Sequence, residues 1–167
     1  MGQGTLILVC GLPGAGKTTL AKRLARERGA IRMCPDEWIE AVLEDTRDTR
    51  ERDRLRDPVE NMQWVLTKEW LQEGLTVTLE NGFWSEEERT QYACEALEVG
   101  ARIELHYLEA PSFELLWERV ARRNIETADG PFVMNESELR AAWDVFEAPT
   151  REEIDFYDDG STVAWQD

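Results

Sequence analysis

What this chain has little of narrows it first. Its three cysteines, Cys10, Cys34 and Cys94, are an odd number at scattered positions. They show neither a disulfide framework nor a metal-ligand spacing, and a reducing cytoplasm is the simple expectation. A single histidine, His106, lies in a strand-like run, so it reads as structural rather than as part of a histidine-built metal centre. No apolar stretch approaches the roughly 18 residues needed to cross a membrane. The N-terminus enters a polar-flanked strand, with no basic region leading into an apolar signal. Bases are scarce as well: 19 Lys and Arg stand against 35 Asp and Glu, a formal charge of −16. Binding a long nucleic acid is dominated by phosphate neutralisation and normally needs a basic face. The expected partner is therefore a small molecule.

The 167 residues, 42% hydrophobic and 32% charged, suit one globular domain spanning 1–167. Strand-like and helix-like patterns alternate, which argues an α/β domain with a mainly parallel sheet. Strands are expected near 5–10, 30–33, 75–79, 102–108 and 161–165. Helices are expected over 17–28, 35–43, 57–73, 85–98, 111–122 and from 135. Asp57-Pro58-Val59-Glu60 reads as a helix start, with a cap, a proline in the first turn and a glutamate after it. The charge-dense segment 46–57 before it reads as a helical extension or a loop. Residues 124–134, containing Asp129-Gly130-Pro131, read as a loop.

Between the first strand and its helix stands Gly11-Leu12-Pro13-Gly14-Ala15-Gly16-Lys17-Thr18-Thr19. Glycines there let successive N–H groups point inward at a phosphate chain, and the following helix adds its positive N-terminal dipole. Lys17 is placed to reach the β- and γ-phosphates, and the Thr18 hydroxyl to take a position on Mg²⁺. Nucleotide binding is expected at these nine residues. A plain glycine-rich turn gives no reason for Lys17-Thr18.

Three further segments carry chemistry. In a parallel α/β sheet, ligands lie beyond the carboxyl ends of the strands. Asp36 follows the second strand and would sit near the γ-phosphate, either as the base for an acceptor hydroxyl or as a helix cap; both roles can coexist. Glu80 ends the third strand and would hold a Mg²⁺-bound water or the acceptor. Asn81-Gly82 after it reads as a tight turn. Arg119 and Arg123 are one helical turn apart, just before the 124–134 loop. They suggest a lid over 123–135 that brings guanidinium groups onto phosphates, against the alternative of a solvated helix end. Seven tryptophans are many for this length. Trp38, Trp64, Phe83 and Trp84 lie in segments that would flank Asp36 and could wall an acceptor, although each singly is ordinary core. The run Arg47, Arg50, Arg52, Arg54, Arg56 reads as a solvated helix face.

These segments together resemble the AAA_33-type small P-loop kinases, whose relatives include polynucleotide 5′-hydroxyl kinases, gluconate kinase, chloramphenicol phosphotransferase and zeta-toxin-like kinases. Residues 11–21 look like the family opening. Cys34-Pro35-Asp36-Glu37-Trp38 looks like the segment with its acceptor-activating Asp. Arg119 to Arg123 sits at the lid arginines, and Phe146 to Thr150 looks like the late loop near the base. The resemblance implies an adenylate-kinase-like, three-layer α/β/α P-loop fold with a five-stranded sheet and a small lid, with Mg-ATP as donor. Glu80-Asn81-Gly82-Phe83 departs from the pattern of the polynucleotide kinases.

The expected activity is transfer of the γ-phosphate of ATP to a small-molecule hydroxyl. Asp36 would be the base, with Lys17, Arg119 and Arg123 on the phosphoryl group. Thr18 would lie on the metal, with Asp36 or Glu80 nearby. Two alternatives stand beside it: a nucleic-acid 5′-hydroxyl kinase, and a nucleotide-dependent regulatory ATPase with no acceptor.

Overall fold

A computed structural model describes residues 2–45, 47–126 and 133–166. The first strand, β1 (Thr5–Cys10), is buried along its whole length. Its alternate residues serve two different cores. Leu6, Leu8 and Cys10 pack on one side of the sheet, and Ile7 and Val9 on the other. A strand apolar on both faces belongs in the middle of a parallel sheet covered twice, and β1 does lie there.

From β1 the chain runs through helix α1 (Lys17–Arg28), strand β2 (Ile31–Met33), helices α2 (Pro35–Val42) and α3 (Thr49–Gln72), strand β3 (Thr76–Gly82), helix α4 (Glu86–Glu98) and strand β4 (Arg102–Leu108). It continues through helices α5 (Phe113–Glu126), α6 (Glu136–Val145) and α7 (Arg151–Phe156) to strand β5 (Asp159–Val163). The five strands are ordered β2-β3-β1-β4-β5, and every pairing is parallel. Trp64 and Leu71 of α3, with Ala93 and Ala96 of α4, cover one face. Leu20 and Leu24 of α1, Leu116 and Val120 of α5, and Leu139 of α6 cover the other. This is the P-loop α/β fold, with a sheet parallel throughout.

Three local outcomes differ from the sequence expectation. Helix α3 begins at Thr49, capped by Asp48, and carries Pro58 in its interior. Proline cannot donate the hydrogen bond due to the carbonyl four residues back. Arg54 and Pro58 are both exposed, so the break lies on the solvent side of the helix. Asn81-Gly82 is the end of β3 rather than a turn. The β1–β3 register shifts between Leu8 and Cys10, which brings Gly82 opposite Cys10. β5 is two residues earlier than expected, and α7 precedes it. The expected lid, 123–135, runs across 127–132, which lie outside the described residues. Among the described residues no helix is long and apolar enough to cross a membrane.

Candidate active site

The strand-to-helix turn after β1 builds the site from backbone. Gly14 has φ +83°, and a Cβ there would lie 2.5 Å from Val120 Cγ2, so both conformation and space demand glycine. Gly16 is the N-cap of α1 in the left-handed region, no side chain caps the helix, and no acid stands in its first turn. The helix itself therefore supplies no acid or side-chain cap to compete for its leading amides, which suits an anion site at a helix N-terminus. Lys17 folds back across the loop, its Nζ donating to Leu12 O at 2.9 Å. Burial holds its ammonium below the ordinary lysine value, and Asp36 is the strongest influence in the other direction.

The P-loop opens into a cavity of ≈ 980 Å³, lined also by Asp36, Glu80, Trp84, Arg119 and Arg123. Thr18 donates through Oγ1 to Glu80 Oε2 at 3.1 Å. Glu80 is 7% exposed and takes Arg32 Nη1 on its other oxygen at 2.9 Å. Burial pushes its carboxyl up; Arg32 and the Thr18 and Cys34 hydrogen bonds oppose this. Asp36 stands in the first turn of α2, but the N-cap is Cys34, with no side-chain cap bond. Instead Asp36 Oδ1 accepts from Arg56 Nη2 at 2.6 Å. Asp36 also acts on Arg123, whose guanidinium is lowered by burial and partly restored by Asp36. Arg56 from α3 thus holds the carboxylate directly, while Lys17 of α1 and Arg123 of α5 line the same cavity. Arg119 stacks on Trp165 at 3.7 Å and donates to Gln166 O.

The aromatic residues divide. Trp84 lines the cavity, and Trp38, 37% exposed, does not. Trp64 and Phe83 are core: Trp64 Nε1 donates to Glu95 Oε2 at 2.7 Å, and both rings pack against Tyr92. Their size and apolarity are used in the interior, the ordinary fate of such residues.

Some cavity residues were not singled out by the sequence. Arg52 and Arg56, assigned above to a solvated face, line the cavity with Glu60, while Arg54 pairs outward with Glu51. The signal was present as the i, i+4 spacing of 52, 56 and 60. It needed the knowledge that the helix starts at Thr49. Val163, Ala164 and Gln166 form the rim beside Arg119. Phe146 to Thr150, expected near a base, do not line the cavity themselves but are tied to it: Glu147 N donates to the carbonyl of the cavity residue Trp84, and Glu147 O accepts from Arg89.

The donor set is one of hard oxygens, Thr18 Oγ1 and Glu80 Oε2, with Asp36 in the same cavity. No group of three or more metal-ligating side chains exists among the described residues. Hard oxygen donors of this kind fit Mg²⁺, which takes one or two protein ligands and completes its shell with water and phosphate oxygens.

Several solved structures share the fold. A candidate kinase from Chloroflexus aurantiacus j-10-fl superposes with a TM-score of 0.75 at 21% identity, covering 98% of this chain and 86% of that one. A gluconokinase from Sinorhizobium meliloti 1021 gives 0.59 at 21%, covering 98% and 81%. Chaetomium thermophilum Kti12, solved in complex with ADP-AlF3, gives 0.65 at 21%, covering 97% and 90%. Among curated proteins no sequence match is found. The model of the AAA domain family AAA_33 matches residues 6–149, and this chain belongs to that family.

Proposed function

We propose that the protein transfers the γ-phosphate of Mg-ATP to a hydroxyl of a small molecule. The observation that carries this reading is the carboxylate Asp36, held by Arg56 inside the P-loop cavity that Lys17 and Arg123 also line. Membership of the family and the likeness to sugar and gluconate kinases support a phosphotransferase, not a particular acceptor.

Residues 11–19 bind the triphosphate through backbone amides, and Lys17 lies against its outer phosphates. Thr18, with Glu80 behind it, would hold Mg²⁺, which would spread the charge of the phosphate oxygens. Arg56 fixes Asp36 by one oxygen, so the other accepts the acceptor's hydroxyl proton. The hydroxyl oxygen then bonds to the γ-phosphorus as the bond to the β,γ-bridging oxygen breaks, and ADP leaves. Arg119 and Arg123 counter the charge on the transferred group. Positioning and electrostatics supply most of the rate in such reactions.

The net charge of −16 disfavours a polynucleotide acceptor. A cavity extending from the P-loop to α3 and α4 favours transfer to an acceptor over hydrolysis alone. The test is Asp36→Asn. Acceptor-dependent ADP release should be abolished while ATP affinity stays within a few-fold, and equal loss of both would remove the general-base role.

A further inference from the structure

Helix α5 lies directly against the phosphate loop. A Cβ on Gly14 would meet Val120 and Leu116, and one on Gly16 would lie 4.0 Å from Arg119 Nη1. Packing of α5 thus brings Arg119 to the loop, but it does not fix the guanidinium. Arginine is long and rich in rotamers, and ordering it during the reaction costs rate that a pre-ordered group does not.

The ordering comes from the segment after β5. β5 pairs in parallel with β4, with Val163 opposite Leu108. Leu108 itself borders the loop, its Cδ2 3.5 Å from the Cβ position of Gly16. The sheet therefore delivers residues 164–166 to the place where α5 delivers Arg119. There the segment alternates. Ala164 and Gln166 line the cavity, while Trp165 packs against the apolar cluster that α1, α5 and α6 form on that face of the sheet. Anchored there, the indole turns a face to Arg119, whose Cζ lies 3.7 Å from the ring centroid. Arg119 Nη2 donates to Gln166 O. The ring sets the plane of the guanidinium, and the carbonyl sets its rotation within that plane, with Nη1 on the loop side. Among aromatic faces, tryptophan attracts a guanidinium most strongly.

We propose that Trp165 is a positioning residue for phosphoryl transfer, holding Arg119 ready over the phosphate loop. This rests on the reading above that Arg119 counters charge on the transferred group. Trp165 is not one of the residues that line the cavity, so it acts through Arg119 and not on the nucleotide.

The test is single-turnover hydrolysis of Mg-ATP, with water as the acceptor, beside ATP and ADP binding. Trp165→Leu keeps apolar bulk and removes the ring face; Trp165→Phe keeps a face. The Leu variant should be slowed about tenfold, with ATP and ADP affinity within about threefold, the effect expected from a lost cation–π contact that orders a transition-state group. The Phe variant should stay within about threefold of wild type. With Arg119→Ala nothing is left to position, so adding Trp165→Leu should cost less than about twofold more. Equal slowing by Leu and Phe, or the full further loss in the Arg119→Ala background, marks a packing role and overturns the inference. A loss of nucleotide affinity that matches the loss of rate overturns it too, as does a Leu variant as fast as wild type. Each of those results leaves phosphotransfer standing. No turnover of bound ATP by wild type, or undiminished turnover by Arg119→Ala, overturns the reading of Arg119 and this inference together.

Discussion

Arg56 Nη2 lies 2.6 Å from Asp36 Oδ1, and the same guanidinium reaches Glu60 through Nη1 at 3.1 Å. The fork ties α2 to α3 across the mouth of the P-loop cavity. Burial lowers the Arg56 guanidinium, but Asp36 and Glu60 outweigh it and raise it overall. Arg56→Ala should reduce kcat about 10–100-fold with ATP affinity within a few-fold, because it loosens the carboxylate and not the phosphate loop. Arg56→Lys should restore only part of the rate, since an ammonium lacks the planar fork. Single-turnover kinetics beside nucleotide titration would separate these effects.

Arg119→Ala and Arg123→Ala should each lower the rate of transfer more than they weaken ATP binding, by roughly 10²-fold or more in kcat, as expected for groups meeting charge that develops in the transition state. A comparable loss in ATP affinity alone would assign them to ground-state binding. Steady-state kinetics at saturating ATP reads the difference.

Arg89 should be indispensable to folding and peripheral to chemistry. Its guanidinium is fully buried, pairs with Glu153, and donates to Phe83 O and Glu147 O, each at 2.9 Å. It joins α4 to α7 and to the segment after β3. Arg89→Ala leaves the buried Glu153 carboxylate without its cation and takes a donor from the Phe83 and Glu147 carbonyls, of which Phe83 O keeps the Cys10 thiol, a loss of about 3–5 kcal/mol. Denaturant unfolding should show the loss even in nucleotide-saturated protein.

Glu104 gives a pH dependence of stability. Burial pushes its carboxyl up, but hydrogen bonds from His106 and Arg28 outweigh that and hold it at about 2, below the ordinary 4.5. A depressed carboxyl stabilises fully above its unfolded value, and the contribution is lost as pH falls from 4.5 through about 2. Glu104→Gln should cost about 1–2 kcal/mol at pH 7, since Arg28 is part-exposed and can turn to water. The gap between wild type and variant should close in acid, measured by denaturant midpoints at pH 7, 4 and 2.5.

The parts of the site legible in the sequence were those written in contiguous residues. Gly11 to Thr19 declares both loop and helix dipole, and Asp36 follows from its place after a strand. The parts that were not legible depend on how far an element runs. Pro58 marks a plausible helix start, yet α3 begins nine residues earlier, and only then do 52, 56 and 60 share a face. Asn81-Gly82 has turn chemistry, but the register shift opposite Cys10 extends β3 through it. Trp64 and Phe83 are apolar enough for either a wall or a core, and composition does not choose between them. The rim at Val163 to Gln166 comes from the far end of the chain, where no local motif announces it.

Gly82 has a consequence beyond its strand. Its carbonyl accepts from Gly11 N at 3.1 Å, and a Cβ on it would come within 2.7 Å of Trp84 Nε1. The entry to the phosphate loop and the Trp84 indole that lines the cavity are therefore pinned at one residue. In the proposed transfer, that makes the span between donor and recipient a ruler cut into the sheet. The side chains of α3 and α4 can then be exchanged for a new recipient while the ruler keeps its length.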